Sequence, residues 1–134
     1  MRRRRASLSL PVNGEVVVVP ASPHLHCSKC GEQVLGFSEA ARLQTRAYTI
    51  YRARLGLLSA AEIHTLRLRL HLTQEALAGL LRLGANTISR WETGYNVQTA
   101  AMDVLLRLVR DVPASLVYLR RTKPSTPRMQ RAGA

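Results

Sequence analysis

The run Cys27-Ser28-Lys29-Cys30-Gly31 places two thiols three positions apart, with a glycine behind them that relieves a tight turn. That spacing lets two thiolates reach one tetrahedral ion, so Cys27 and Cys30 are the candidate metal ligands of the chain. They make half a site. A structural zinc takes four ligands, and the nearest further donors, His24 and His26, would crowd the whole set into one short stretch. The expectation is a chain with no cofactor and a reduced, metal-free pair in a small turn, zinc on Cys27 and Cys30 being the alternative. A redox C-x-x-C normally opens a helix after a buried strand, and that context is missing. Two cysteines this close are not the disulfide framework of a secreted domain, which favours a reducing cytoplasm. No Ser/His/Asp set, Gly-rich phosphate loop or spaced acidic pair accompanies them, and His64 and His71 read as exposed spacers or phosphate contacts. Catalysis is not expected.

A second kind of chemistry, non-covalent base recognition, is available to Asn86 and Arg90. Arginine grips O6 and N7 of guanine with two hydrogen bonds, and asparagine pairs in the same way with adenine. Both must project from one exposed helix face. Ile88 and Trp91, three apart, share the inward face, and two residues at 100° each put Asn86 roughly 200° away from Ile88. Asn86 and Arg90 are therefore the expected base contacts, and Thr73, Gln74, Thr87 and Ser89 the expected backbone or supporting contacts.

The elements that position them are legible around these residues. Ser59 caps a helix, Glu62 three residues on reaches back, and Leu58 packs on Ile63 as a hydrophobic staple. Ile63, Leu66 and Leu70 form its apolar face, and it stops near His71. Thr73 caps a short second helix with Ala76, Leu77, Leu80 and Leu81 on one stripe. Arg82-Leu83-Gly84 makes the turn, with Gly84 as an acceptable cap, and a third helix runs from Ala85 to Glu92 with Gly94 as its stop. Further on, Ala101, Val104, Leu105 and Leu108 recur at helical spacing, widened by Met102 and Val109, and Pro113 opens a last helix carrying Leu116, Val117 and Leu119. This is more apolar surface than one small bundle needs, which is consistent with a twofold homodimer. Such a dimer would set two recognition helices about 34 Å apart on a palindromic operator.

The expected organisation is a basic disordered tail over 1–13, a small β-containing C-x-x-C lobe over 14–37, a connecting helix over 38–56 capped by Ser38 and closed by Gly56, a five-helix domain over 57–121, and a disordered tail over 122–134. The β element is placed at Glu15 to Pro20, where valines cluster. The fold class is mainly α. Twenty Lys and Arg against eight Asp and Glu leave a net charge of +12 on 134 residues, which points to a polyanionic partner. The arginines of both tails would add sequence-independent phosphate attraction. The apolar run after the N-terminal arginines is broken by Pro11, Asn13, Gly14 and Glu15, and no segment approaches the roughly 20 apolar residues of a membrane span, so no membrane association is expected.

The residues Leu72-Thr73-Gln74-Glu75 through Leu77-Ala78, with Ile88-Ser89-Arg90-Trp91-Glu92 and Gly94, resemble the Xre/Cro family of helix-turn-helix DNA-binding domains. Arg82 stands where those domains often carry a turn glycine, and Gly84 where a Ser or Thr often caps the recognition helix. From Cys27 to about Leu119 the chain also resembles the MqsA antitoxins, through C-x-x-C-G-E, the following helix and the close match over Gly84 to Arg90. That resemblance implies a zinc lobe with two C-x-x-C motifs, of which this chain lacks the first. It further implies a dimerising C-terminal domain that represses its own operon, with the positions of Asn86 and Arg90 reading bases of a palindromic operator. A cognate toxin, of the small ribonuclease type, is implied in the same way. An orphan regulator without a toxin, or a protein-binding adaptor of the same fold, is the alternative.

Overall fold

The computed structural model describes residues 1–122. Strands β1 (Arg2–Val12) and β2 (Glu15–His26) pair antiparallel, and β3 (Gln33–Val34) adds to the far end of β2, giving the order β1-β2-β3. Asn13 (φ 48) and Gly14 (φ 82) close the hairpin, both in the left-handed region that a tight two-residue turn requires. The register runs from Val12↔Glu15 to Arg2↔His26, with one bulge where Ala21 (φ 50) is inserted. Residues 1–13 are thus not a disordered tail. Alternation explains why: Leu8 and Val12 pair with the side of β2 that carries Val17 and Val19, and all four are buried. The strand lobe accordingly begins at Arg2 rather than at residue 14.

Helix α1 (Phe37–Leu55) lies across this sheet. Its buried positions Leu43, Ala47 and Tyr51 recur every four residues and meet Leu8, Val12, Val17 and Val19 in one core. The cap is Gly36 and not Ser38: Glu39 accepts from the Gly36 amide at 3.3 Å, and Ser38 lies inside the first turn. Gly56 closes the helix at φ 64.

Five helices follow among the described residues: α2 (Ala60–Arg69), α3 (Gln74–Leu80), α4 (Thr87–Thr93), α5 (Ala100–Asp111) and α6 (Pro113–Thr122). Ser59 and Glu62 form the reciprocal capping box at α2, and the Thr73 hydroxyl accepts from the Ala76 amide at α3. Leu58, Ile63, Leu66, Leu77, Ile88, Trp91, Leu106 and Val109 make a second core. The chain is mainly α with a small antiparallel sheet. The tail expected over 122–134 lies outside the described residues except for Thr122, which ends α6.

Candidate nucleic-acid interface

Helix α4 is held by its buried face and by a buried ion cluster. Ile88 is 0% and Trp91 3% exposed, so these two fix its rotation. The Glu92 carboxylate, only 4% exposed, accepts from both nitrogens of the Arg67 fork, from Gln74 Nε2 at 2.9 Å, and sits 2.6 Å from His64 Nδ1. Arg67 also donates to the Leu72 carbonyl at 3.0 Å. One carboxylate therefore ties α4 to α2 and to the first residue of α3. From the sequence His64 reads as an exposed spacer or phosphate contact and no role falls to Arg67 or Glu92, because the partners are 18 to 28 positions apart and no local spacing links them.

The helix begins at Thr87, two residues later than expected, and Asn86 rather than Gly84 is its cap. Asn86 has helical backbone angles (φ −93, ψ −1) and makes no side-chain capping bond, so among the described residues its amide is uncommitted. Arg90 is exposed, and among the described residues its guanidinium has no hydrogen-bond partner, in contrast to Arg67. Asn86 and Arg90 thus occupy one turn of the exposed face, with Thr87 and Ser89 half-buried between them. Thr73 is exposed with its hydroxyl used as a cap, and Gln74 is half-buried against Glu92, which makes it a supporting group. In the turn, Arg82 adopts φ 59, the left-handed conformation that glycine takes without strain, and Gly84 does not need positive φ. Gly94 ends α4 at φ 82.

Beyond α4 a second polar cluster joins the two cores. The Arg52 side chain of α1 is buried and donates to the Trp91 carbonyl at 3.0 Å, the Asn96 carbonyl at 3.4 Å and Gln98 Oε1 at 3.2 Å. Gln98 donates onward to the Leu58 carbonyl and to Asp103, whose Oδ1 also accepts from the Leu58 amide at 2.8 Å. Arg107 pairs with the other Asp103 oxygen at 2.7 Å. Every member is satisfied, which is the condition under which a buried network specifies a unique arrangement.

Glu92 and Asp103 give this half of the molecule an acid sensitivity of known sign. Burial pushes the Glu92 carboxyl up, but hydrogen bonds from Arg67, His64 and Gln74 outweigh it and hold the group below its ordinary 4.5. Burial likewise raises Asp103, and bonds from Arg107, the Leu58 amide and Gln98 bring it below 3.8. A carboxyl with a lowered folded value binds its proton more readily when unfolded. Its stabilisation is complete above the unfolded value and is lost as pH falls through the folded one. The melting temperature is therefore expected to fall steadily below about pH 4.5, and Glu92→Gln to flatten that slope while lowering stability near neutrality. A slope identical in wild type and variant, followed by circular dichroism, would remove Glu92 as a cause.

Around the cysteines the donors do not fit a closed zinc site. Cys27 and Cys30 are free thiols in a turn held by the Gly31 amide on the Cys27 carbonyl and the Cys27 amide on the Glu32 carbonyl. Amides of Cys30 and Lys29 and the Cys30 thiol lower the Cys27 pKa. His24 is buried with Nδ1 2.8 Å from the Ser22 carbonyl, its Nε2 without a partner among the described residues, and its ring stands edge-on to His26 at 6.5 Å. Among the described residues no three of His, Cys, Asp and Glu converge as a structural ion requires. No described helix is long and apolar enough to cross a membrane.

No curated protein matches the chain. One family does, described as the antitoxin component of bacterial toxin-antitoxin system, MqsA, and the match spans residues 1–120. It therefore covers the strand lobe, α1, the buried ion cluster and the exposed face of α4 alike, and the chain belongs to the MqsA antitoxin family.

Proposed function

We propose that this protein is the antitoxin of a toxin-antitoxin pair and a sequence-specific DNA-binding repressor of its own operon, using α3, the turn and α4 as an Xre/Cro-type helix-turn-helix. The observation that carries this is the outward pair Asn86 and Arg90 on a helix whose rotation is pinned by Ile88, Trp91 and the Glu92 cluster. A free guanidinium and a free amide one turn apart suit the edges of guanine and adenine in a major groove. Membership of an antitoxin family supports a toxin partner, for which a small ribonuclease is the candidate class. The protein acts by binding, in the cytoplasm, without a catalytic step.

It does so as a homodimer. Val104 and Leu108 of α5, Val112 at the junction, and Val117 and Tyr118 of α6 are between 43% and 65% exposed, an apolar surface that a second copy would cover. Selection of bound sequences from a random duplex pool tests DNA reading and symmetry together. The expected product is a palindrome with half-sites about one helical turn, 10 base pairs, apart. Absence of any enriched sequence would overturn the repressor and favour a protein-binding adaptor.

The lobe works without a resident metal. Its two thiols give half the ligands that a structural zinc takes, so elemental analysis of protein purified without chelator is expected to find well below one zinc per chain. One zinc per chain would refute this.

A further inference from the structure

The hairpin and α1 together form a recess of about 240 Å³ lined by Arg3, Arg5, Arg42 and Arg46 together with Glu39 and Leu43. Arg3 and Arg5 come from β1 and Arg42 and Arg46 from successive turns of α1, so the cluster is made by folding and not by a run of charge. Four arginines and one glutamate line the recess. Arg3 is paired with Glu39 at 2.6 Å, and Arg46 donates to the Pro20 carbonyl at 2.8 Å, which holds those two in place. Among the described residues Arg5 and Arg42 form no side-chain hydrogen bond, and all four arginines are exposed. One carboxylate leaves this cluster with a net positive charge, which draws anions to it.

Position identifies the anion. Arg42 and Arg46 also line a second recess, of about 470 Å³, whose other wall is Thr93, Gly94 and Tyr95 at the end of α4. Contact there is close: a Cβ placed on Gly94 would stand 3.4 Å from Thr45 Cγ2 of α1. The cationic surface is therefore continuous with the exit of the helix that carries Asn86 and Arg90. A polyanion lying along α4 would run directly onto it, and planar guanidiniums match phosphate oxygens in paired hydrogen bonds.

We infer that Arg5, Arg42 and Arg46, steadied by Arg3, form a phosphodiester seat for the duplex flanking the bases read by α4. The seat sets affinity and not sequence preference. It rests on the DNA-binding function proposed above, and the two fail differently.

The test compares full-length wild type with Arg5→Gln/Arg42→Gln/Arg46→Gln by fluorescence anisotropy over a salt series. Two duplexes are used: the selected site alone, and the same site extended at both ends by about one turn. On the extended duplex the variant is expected to bind about tenfold or more weakly, with the salt slope reduced by about 5, because a homodimer loses three phosphate contacts per protomer and each removes about 0.9. The loss is the same for any flanking sequence and much smaller on the short duplex. A variant with Lys at positions 42 and 46 should keep the slope, which separates charge from disturbed packing. Equal affinity and slope for wild type and the Gln variant on the extended duplex overturn the seat while leaving α4 as the reader. A Gln variant unchanged on DNA but deficient in binding polyglutamate overturns it in favour of an acidic protein partner. Wild type that binds neither duplex removes the DNA-binding function and the seat with it.

Discussion

Arg52→Met is expected to lower the free energy of unfolding by about 3 kcal/mol, the cost of leaving several buried acceptors without a donor. Methionine fills much of the same volume, so the loss reports hydrogen bonding more than packing. Arg52 is 6% exposed, and its removal leaves the Trp91 and Asn96 carbonyls and Gln98 Oε1 unpaired. Arg52→Lys should recover only part, because an ammonium cannot span three acceptors laid out for a planar fork. Urea unfolding gives the result directly, and a change under about 1 kcal/mol with an unchanged slope would show that water or rearrangement replaces the contact. The location of these acceptors adds a functional consequence. Trp91 and Asn96 flank the end of α4, so Arg52 connects α1 to α4. DNA affinity should fall more in Arg52→Met than in an exposed α1 variant such as Thr49→Ala.

Arg90→Ala is expected to cost about 1 to 3 kcal/mol on the selected site, about 5- to 150-fold in affinity, and to relax preference at one base position. Binding to random duplex should change far less. Asn86→Ala should relax a different position, one where adenine is preferred. Both residues are exposed and outside the buried clusters, so the melting temperature should hold. Equal losses on selected and random duplex would reduce Arg90 to a phosphate contact. The Arg5/Arg42/Arg46 variant has the opposite expected signature, uniform loss with a changed salt slope, and the pair of experiments separates base reading from backbone attraction.

The helical half was largely written in short-range signals. Ser59 with Glu62, Thr73, and Gly94 each act within one turn, and Ile88 and Trp91 obey the helical period, so caps and buried faces follow from spacing alone. The start of α4 did not. Which of Gly84, Ala85 and Asn86 becomes the cap depends on how the turn through Arg82 at φ 59 is drawn onto the core. The N-terminal strand carried a readable sign that charge obscured: Asn13-Gly14 is a strong two-residue hairpin turn, and Leu8, Leu10 and Val12 alternate before it as Val17 and Val19 do after it. Four arginines at one end made the segment resemble a solvated tail, although pairing with β2 satisfies the backbone groups on its inner edge whatever the side chains are.

Sequence alone determined which helix carries Arg90 and which of its faces is buried, because a 3.6-residue period is a local property of the chain, while the placing of Asn86 at its cap was not determined locally. It also determined that the C-x-x-C pair stands without a second pair, since that is a matter of composition. Tertiary structure decided what pins the helix and what surrounds it. Glu92 meets Arg67, Arg52 meets Trp91, and Arg3 and Arg5 meet Arg42 and Arg46 only after segments tens of residues apart have packed. Packing of the hydrophobic cores sets those meetings, and charge patterns read along the chain carry no record of them.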